Sequence, residues 1–503
     1  MQPSVFATEQ PGPASHLHCR AFGWRALRTA ILSSLAPPAM TTTFETARAH
    51  FQQGVALFEA GDATGAETSL RASLALLPGR PSTLVNLGAV LLHLGRPEEA
   101  LAALDETLAA DGQQPDAWCH RALACSALGR ESEALASLQR AFALGCQLPA
   151  AHQHHALVLN RLGRHEEALV ALQPLLANLG PAEPGHAAAQ LLRGQTCQTL
   201  GRLPEARSAF EAAVAANPQL AEAWVQLGLL LNELGETPLA RQALQHAREA
   251  LAQAGEGADV QAGSTSDSAA MLAYFSAAVG DGAPPATAPP AYVRALFDPY
   301  AEGFEEHLVG TLRYCGHEAV VTAALAWRAT SPAAEPGRSP SLALDLGCGS
   351  GLSGTFLRPH VQRLEGVDLS PTMVAQARAS GHYDAVFEAE LVQHLQARAA
   401  AGEQADLIVA ADVFIYIGEL APVFDAVARV LAPGGVFAFT VEHDETAAPY
   451  RLHRGLRYAH SEGGLRQLAA AHGLVVRQAR PLVLREEQRQ PVAGLVLALQ
   501  RAA

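Results

Sequence analysis

A repeat of 34 residues, with one gap of 38, runs from residue 47 to residue 254 and constrains the fold of this 503-residue chain more than any other feature. In each unit the eighth position is small, the twentieth is alanine, and the twenty-fourth is large and apolar. A glycine marks the point where a first helix turns into a second. A single helix pair cannot bury its apolar face, so the units are predicted to stack into a superhelix. The units begin near Ala47, Pro81, Pro115, Pro149, Ala187 and Ala221, and the turn glycines are Gly61, Gly95, Gly129, Gly163, Gly201 and Gly235.

This pattern resembles the tetratricopeptide repeat family. The resemblance implies a concave surface that binds a protein or peptide partner, whereas the alternative is an array that only stabilises the chain or mediates dimerisation. The predicted groove positions are neutral, which disfavours the capture of a peptide's terminal carboxylate. Those neutral positions are Val85, Gln153, Asn160 and Asn232, and the family's usual aromatic and leucine positions are filled by Trp118, Trp224, Leu87 and Leu227.

Composition argues against several classes of protein. A formal net charge of −14 disfavours a nucleic-acid partner or an anionic membrane surface, because both need clustered cations. No apolar run approaches the roughly 20 residues of a membrane span. The seven cysteines are scattered without a C-x-x-C pair, so neither a disulfide framework nor a bound metal is expected, and a cytoplasmic location is predicted.

The segments that flank the repeats are predicted as follows. Residues 1–39 are interpreted as a disordered extension or a misplaced translation start, because Met40 stands directly before the first unit. Residues 255–291 are rich in glycine, serine and proline and predict a linker, within which residues 271–279 predict a short helix. Residues 292–340 open with an aromatic segment that predicts a short helix, which either covers a nucleotide site or simply packs on its neighbours.

Strand and helix patterns alternate in residues 341–503, as in a doubly wound, Rossmann-like parallel sheet with ligands at the carboxyl ends of its strands. Ser370 and Pro371 predict the N-cap and the first residue of one helix. Only residues 485–491 separate the last two strands, which is too short for a crossover helix, so a C-terminal antiparallel hairpin is predicted. The strand candidates are residues 342–346, 362–367, 383–388, 405–411, 434–441, 474–483 and 493–499.

A glycine-rich turn and an acid follow the first two strands of this domain. The strand 342–346 runs into Gly347, Gly349 and Gly351, and Asp368 ends the second strand. Glycines let a backbone approach a ligand closely, and an acid at the next strand end can accept hydrogen bonds from both ribose hydroxyls. The pairing predicts a nucleoside site, the alternative for Asp368 being a solvated loop acid.

Residues 349–354 also fit the glycine fingerprint of dinucleotide oxidoreductases. Three features count against that interpretation: the strand already ends at Gly347, the acid Asp345 stands inside the strand end, and the closing hairpin is foreign to the dinucleotide fold. All three features are similar to the class I S-adenosylmethionine-dependent methyltransferases.

The methyltransferase resemblance implies a role for each residue around this turn. The three glycines would bracket the methionine part of S-adenosylmethionine, Cys348 needs only to be small, and Asp345 would help hold the ammonium. Glu390 would meet the adenine amine, although it could instead be a charge in the first turn of a helix. The other implied cofactor residues are Asp368 at the ribose, Leu369 against the adenine, Ala389 after the third strand and Asp412 after the fourth.

The order of repeats, aromatic segment and sheet resembles a bacterial family of predicted methyltransferases that carry tetratricopeptide repeats. This resemblance implies a methyltransferase whose acceptor is a small molecule or a protein and whose repeats recruit a partner. The alternative is a scaffold that acts through its repeats and whose sheet binds the cofactor without chemistry.

Catalytic residues are only weakly indicated by the sequence. Asp412-Val-Phe-Ile lacks the two prolines typical of enzymes that methylate amino groups of adenine or glutamine, so that chemistry is disfavoured. His443, His460 and Tyr300 are the candidates for a general base, although most histidines have structural or surface roles.

Overall fold

The computed structural model describes residues 38–183, 185–255, 262–298, 305–330, 339–487 and 490–502. The predicted extension 1–39 lies outside the described residues except for its last two positions. The chain divides into two compact units between Ala223 and Trp224, inside the predicted repeat region rather than at its end.

The repeats fold as consecutive helix pairs, as the sequence predicts. Prolines open several of these helices because the first helical residue needs no N–H donor. All six predicted turn glycines have positive φ angles, which confirms a tight turn inside each pair. The helices are α1 Pro38–Glu59, α2 Ala63–Leu76, α3 Pro81–His93, α4 Pro97–Ala110, α5 Pro115–Ala127, α6 Glu131–Ala143, α7 Pro149–Arg161, α8 His165–Asn178, α9 His186–Thr199, α10 Leu203–Ala216, α11 Ala221–Glu233 and α12 Thr237–Gly255.

The small eighth position of a unit is required by the contact between its two helices. A Cβ atom on Gly88 would lie 2.9 Å from Leu104, and one on Gly194 would lie 2.4 Å from the Phe210 ring. The large twenty-fourth residue therefore packs on the first helix of its own unit, a contact that the sequence pattern alone does not identify.

Helix α13, Ala262–Ala278, occupies much of the predicted linker 255–291. The short helix predicted at residues 271–279 is thus present but begins earlier, and its Tyr274 and Phe275 are almost completely buried. The short helix predicted for the aromatic segment is α14, Pro290–Phe297, followed by a π-helical turn, Glu306–Thr311.

The remaining residues form one mixed sheet of nine strands among the described residues. Its parallel part has the order β3-β2-β1-β4-β5, β9 pairs antiparallel with both β5 and β8, and β7 pairs with the end of β5 and with β6. This confirms the doubly wound sheet and the C-terminal hairpin. The strands are β1 Leu342–Leu346, β2 Arg363–Asp368, β3 Ala385–Glu388, β4 Ala405–Ala410, β5 Leu431–His443, β6 Tyr450–Leu452, β7 Tyr458–His460, β8 Leu474–Glu487 and β9 Gln490–Arg501.

Alternate residues of the parallel strands face two separate apolar cores. Leu344 and Ile408 belong to one core, whereas Ala343 and Leu407 belong to the other. Strands that are buried on both faces must be covered by helices on both sides. These helices are α15 Gly316–Ala329, α16 Leu352–Leu357, α17 Pro371–Ala379, α18 Leu391–Ala400, α19 Ala421–Val430 and α20 Glu462–Ala471. None of the helices in the described ranges has the length and apolarity needed to cross a membrane.

Candidate active site

The glycine turn after β1 has a backbone that only glycine adopts readily. Gly347, Gly349 and Gly351 have φ angles of 64°, 52° and 105°. A Cβ atom on Gly347 would lie 2.5 Å from the Val413 side chain, whereas one on Gly349 would meet no atom within 4 Å. Gly347 therefore permits close packing against the segment after β4, and Gly349 leaves an open face of backbone. We call residues 347–351 the cofactor turn.

Asp368 ties the cofactor turn to the end of β2. Its Oδ2 accepts a hydrogen bond from the Gly349 N–H at 2.8 Å, and its Oδ1 accepts one from the Ser370 N–H at 2.9 Å. Burial raises the pKa of Asp368, although these N–H groups oppose the shift. Each carboxylate oxygen has a further lone pair, so the group is oriented by the fold and can still accept hydrogen bonds from a ligand.

Asp345 is a buried carboxyl whose hydrogen bonds are only half satisfied. It is 1% exposed, and its Oδ2 accepts a hydrogen bond from the Tyr383 hydroxyl at 2.7 Å. Its Oδ1 has no hydrogen-bond partner among the described residues. Burial raises the pKa of Asp345 to about 7. An unpaired buried carboxylate oxygen beside an open turn fits a cationic group of a ligand.

Tyr383 was not identified from the sequence. Its ring also packs against the helix after the turn, where a Cβ atom on Gly354 would lie 2.6 Å from it. No motif surrounds this residue, and only the folded chain brings it to Asp345, which lies 38 positions away in the sequence.

Cys348 and Leu369 differ in burial. The Cys348 side chain is buried in a small apolar cluster with Val374 and Val386, and burial raises the pKa of its thiol. Leu369 is half-buried next to Asp368. A buried, protonated thiol has little reactivity, which agrees with a purely steric reason for a small residue in the turn.

Glu390 is the N-cap of α18. Its carboxylate accepts hydrogen bonds from the Val392 N–H at 3.0 Å and from the Gln393 N–H at 2.8 Å. These contacts match the alternative prediction for Glu390, in which it is a charge in the first turn of a helix. The neighbouring Ala389 N–H donates to the Asp368 carbonyl at 3.0 Å, so this segment lies beside the end of β2.

Asp412, predicted as a cofactor residue, is paired with a buried arginine. Arg485 is 1% exposed, and its Nη1 lies 3.0 Å from Asp412 Oδ1 while its Nε lies 2.7 Å from Glu487 Oε1. Arg485 also pairs with Glu442, and Arg457 pairs with Glu487. We call these five side chains the Arg485 cluster.

The Arg485 cluster lies at the same edge of the sheet as the cofactor turn. Asp412 follows β4 with a φ angle of 59°, and its N–H donates to Thr440 Oγ1 at 2.9 Å on the neighbouring strand β5. Glu442 is the last but one residue of β5. Burial raises the pKa of Glu442, and it would lower that of Arg485, but the surrounding carboxylates outweigh it and raise the Arg485 pKa.

The two histidine candidates are register neighbours on β5 and β7. The Nε2 atom of His443 lies 2.9 Å from Glu445 Oε1 at the end of β5. His460 is 3% exposed, its Nε2 donates to the Gly418 carbonyl at 3.1 Å, and burial lowers its pKa to about 4. His460 is therefore neutral at pH 7 and held by the backbone. Tyr300 lies outside the described residues.

The end of α14 contacts the segments that follow β2 and β4. Asp298 accepts a hydrogen bond from the Ser370 hydroxyl next to Asp368, and the Phe297 ring packs edge-on against Tyr416 at 5.7 Å. A short segment before α14 also pairs with the chain after β4, through Thr287 and Ile417. The aromatic segment therefore packs against the chain that follows β2 and β4, and its predicted role as a cover of the nucleotide site stays a prediction. In the described ranges no three His, Cys, Asp or Glu side chains are grouped so that they could hold a metal ion.

Two families match parts of the chain. Residues 344–439 match a methyltransferase domain. Residues 57–124, and the overlapping ranges 155–219 and 198–255, match tetratricopeptide repeats. The first range contains the cofactor turn, Asp368 and Asp412.

Curated relatives match a quarter or less of this chain. Nodulation protein S of Rhizobium tropici is 35% identical over 105 residues, which are 20% of this chain and 43% of that protein. A trans-aconitate 2-methyltransferase of Methylobacterium radiotolerans is 34% identical over 134 residues, which are 25% of this chain and 50% of that protein. The chain thus spans half or less of the length of these relatives.

A solved structure of the N-methyltransferase NodS from Bradyrhizobium japonicum, in complex with S-adenosyl-L-homocysteine, is 21% identical. The match covers 37% of this chain and 86% of that one with a TM-score of 0.29, so it adds no argument beyond the sequence matches. The family matches and the observed sheet lead to one conclusion: the chain joins tetratricopeptide repeats to a class I methyltransferase domain, whose cofactor as a class is S-adenosylmethionine.

Proposed function

We propose that this protein binds S-adenosylmethionine at the cofactor turn and transfers its methyl group to an acceptor over the ends of β4 and β5. The observation that carries the proposal is the pairing of an open Gly349 backbone with Asp368, whose carboxylate is already held by two N–H groups. A carboxylate that is fixed before binding loses little conformational entropy when the ribose hydroxyls donate to it.

The residues around the turn fit the other parts of this cofactor. The unpaired Oδ1 of Asp345 would accept a hydrogen bond from the methionine ammonium. Leu369 offers apolar surface to the adenine. The Glu390 carboxylate can still accept a hydrogen bond from the adenine amine, because its hydrogen bonds to the helix N-terminus use one lone pair of each oxygen. When bound, the cofactor supplies an electrophilic methyl group on a sulfonium.

The chain's own contribution to the transfer is to align the reactants and exclude water. Val413 packs on Gly347 and so fixes the segment after β4 against the turn. Phe297 and Asp298 join the end of α14 to the segments that follow β4 and β2. His460 is buried and neutral, so its geometry favours a structural role, whereas His443 is the last residue of β5, on the side proposed for the acceptor. We propose His443 as the residue to test first for proton transfer.

The repeats are proposed to recruit a protein or peptide partner, which could itself be the methyl acceptor. Solenoids of stacked helix pairs are generally used in this way. The six cysteines within the described ranges are free thiols, which supports a reducing compartment such as the cytoplasm.

Calorimetric titration with S-adenosylmethionine tests the proposal, using Asp368→Asn and a matched control, Asp384→Asn. Both substitutions remove one charge without changing shape, and both carboxylates accept a backbone N–H. Asp384 stands before β3, and its carboxylate accepts a hydrogen bond from the Leu364 N–H near the start of β2 rather than from the cofactor turn. We expect Asp368→Asn to raise Kd at least about tenfold, since charge-assisted hydrogen bonds to the ribose are weakened.

The control variant should bind like the wild type. If the wild-type protein bound no S-adenosylmethionine, the scaffold alternative would replace the enzyme. If both variants bound equally well, Asp368 would not be the ribose ligand.

A further inference from the structure

The loop 453–457 between β6 and β7 is held by two side chains from outside the sheet. Asn232, on the first helix of the last repeat, donates its Nδ2 to the Arg454 carbonyl at 2.8 Å. Tyr274, on α13, donates its hydroxyl to the Leu456 carbonyl at 2.6 Å. Both side chains are buried, Tyr274 completely so. Leu456 itself has a φ angle of 59°, which a leucine rarely adopts, so external contacts are needed to keep it there.

The position of the Tyr274 hydroxyl is fixed by aromatic packing. Its ring centroid lies 5.2 Å from that of Tyr292 and 6.0 Å from that of Tyr458. Tyr458, the first residue of β7, in turn donates its hydroxyl to the Pro285 carbonyl at 2.7 Å. Because the Tyr274 ring is closely packed and cannot move, its hydroxyl fixes the position of the loop carbonyl that it binds.

Arg457 is the residue directly after the carbonyl that Tyr274 holds. Its guanidinium pairs with Glu487 and lies 3.9 Å from Glu442, so Arg457 belongs to the Arg485 cluster, and its side chain is 19% exposed. Because Cα atoms of neighbouring residues are about 3.8 Å apart, a displacement of Leu456 is passed directly to Arg457.

We propose that Tyr274 and Asn232 are positioning residues for methyl transfer, which set the place of Arg457 on the acceptor side of the site. In this proposal the last repeat helps to position a residue of the active site, in addition to any role in binding a partner. This inference rests on the proposed function, since it gives the acceptor side of that site a cation whose position depends on the last repeat and α13.

The test is a double-mutant cycle between Tyr274→Phe and Arg457→Gln. Tyr274→Phe keeps the ring and removes only the hydroxyl. The readout is the initial rate of methyl incorporation from radiolabelled S-adenosylmethionine into a dilute cell extract in which the wild-type protein incorporates label. At limiting acceptor this rate is proportional to kcat/KM. The matched control is Ser276→Ala on the same helix α13, which removes a partly buried hydrogen bond that the Arg248 guanidinium donates at 3.0 Å.

We expect Tyr274→Phe to lower the rate roughly fivefold to tenfold in the wild-type background, in line with the loss of one buried hydrogen bond. In the Arg457→Gln background it should change the rate less than twofold, because the residue through which it acts is gone. Ser276→Ala should have the same small effect in both backgrounds. Cofactor Kd, measured by calorimetry, should stay within about twofold of the wild-type value in every variant.

Hydrogen exchange of residues 453–460 provides a second readout that needs no acceptor. Tyr274→Phe and Asn232→Leu should each accelerate exchange in this segment, whereas Ser276→Ala should not. An equal loss of rate in both backgrounds, or unchanged exchange in the loop, would overturn the inference. A wild-type protein that bound no cofactor in the calorimeter would instead contradict the proposed function, so the two failures are distinguishable.

Discussion

The cofactor turn and the Arg485 cluster lie side by side at one edge of the sheet, yet they are built in different ways. Asp368 fixes the turn through hydrogen bonds with backbone N–H groups that lie at most 19 positions away in the sequence. The cluster joins the ends of β4, β5 and β8 to the loop before β7, through side chains that lie as far as 73 positions apart. The first region is a local structure, and the second exists only when the whole sheet has formed.

This difference separates binding from stability. The charges of the turn can be neutralised without unfolding the domain, because backbone hydrogen bonds keep its shape. The charges of the cluster are buried and depend on one another, so removal of one leaves the others without compensation. Substitutions in the turn should therefore affect the cofactor, and substitutions in the cluster should affect the fold and the acceptor side.

The largest effect is expected for Arg485→Met. It leaves Asp412, Glu442 and Glu487 with one guanidinium between them, and we expect a loss of about 3–5 kcal/mol in the free energy of unfolding. Urea unfolding would measure this loss of stability, with hydrogen exchange of β5 as the probe. The matched control is Arg358→Met, which breaks an exposed pair with Asp384 and should cost less than about 1 kcal/mol. Equal losses in the two variants would remove the distinction between the regions.

A smaller effect is expected from the titration of His460. Its pKa is about 4 in the fold against a usual value of 6.5, so the unfolded chain binds more protons between these values. The stability that this residue contributes is present above pH 6.5 and is lost as the pH falls towards 4, by roughly 3 kcal/mol at most. In His460→Gln the fall over this window should be shallower by that amount, whereas His443→Gln should keep it. Identical pH profiles for wild type and His460→Gln would show that the ring is not buried as described.

The smallest effect sharpens the comparison from the cofactor side. The pKa of Asp345 is about 7 because of burial, so the carboxylate needed by the cofactor ammonium is mostly protonated at pH 5.5. Affinity for S-adenosylmethionine should rise roughly tenfold from pH 5.5 to pH 7, below the pKa of the ligand's own amino group. Calorimetry on Asp345→Asn should give weaker binding without this rise, whereas Asp384→Asn should retain it. A flat profile for the wild type would mean that Asp345 does not hold the ammonium.

Local signals allowed the sequence to predict the turn and its acid. Positive φ angles demand glycine, and the acid follows a recognisable apolar strand, so the sequence pattern alone pairs Gly349 with Asp368. The repeats were predicted for the same reason, since the contact between Gly88 and Leu104 recurs with a fixed spacing.

Long-range contacts account for what the sequence did not predict. Arg485 reaches Asp412 and Glu442 because β8 continues past its predicted end at residue 483 and is bulged there, which a pattern of alternating residues does not reveal. Strands β6 and β7 have only three residues each, too few for a periodic signal. Asn232 was predicted to line the groove of the repeats but is bonded to Arg454, 222 positions away.

The most direct test of the central claim is the ratio of the Kd for S-adenosylmethionine in Asp368→Asn to that in Asp384→Asn. A ratio of at least about ten, with both variants folded and the control equal to wild type, is the result that a ribose ligand at the end of β2 predicts. A ratio near one, in a protein that binds the cofactor tightly, would contradict it.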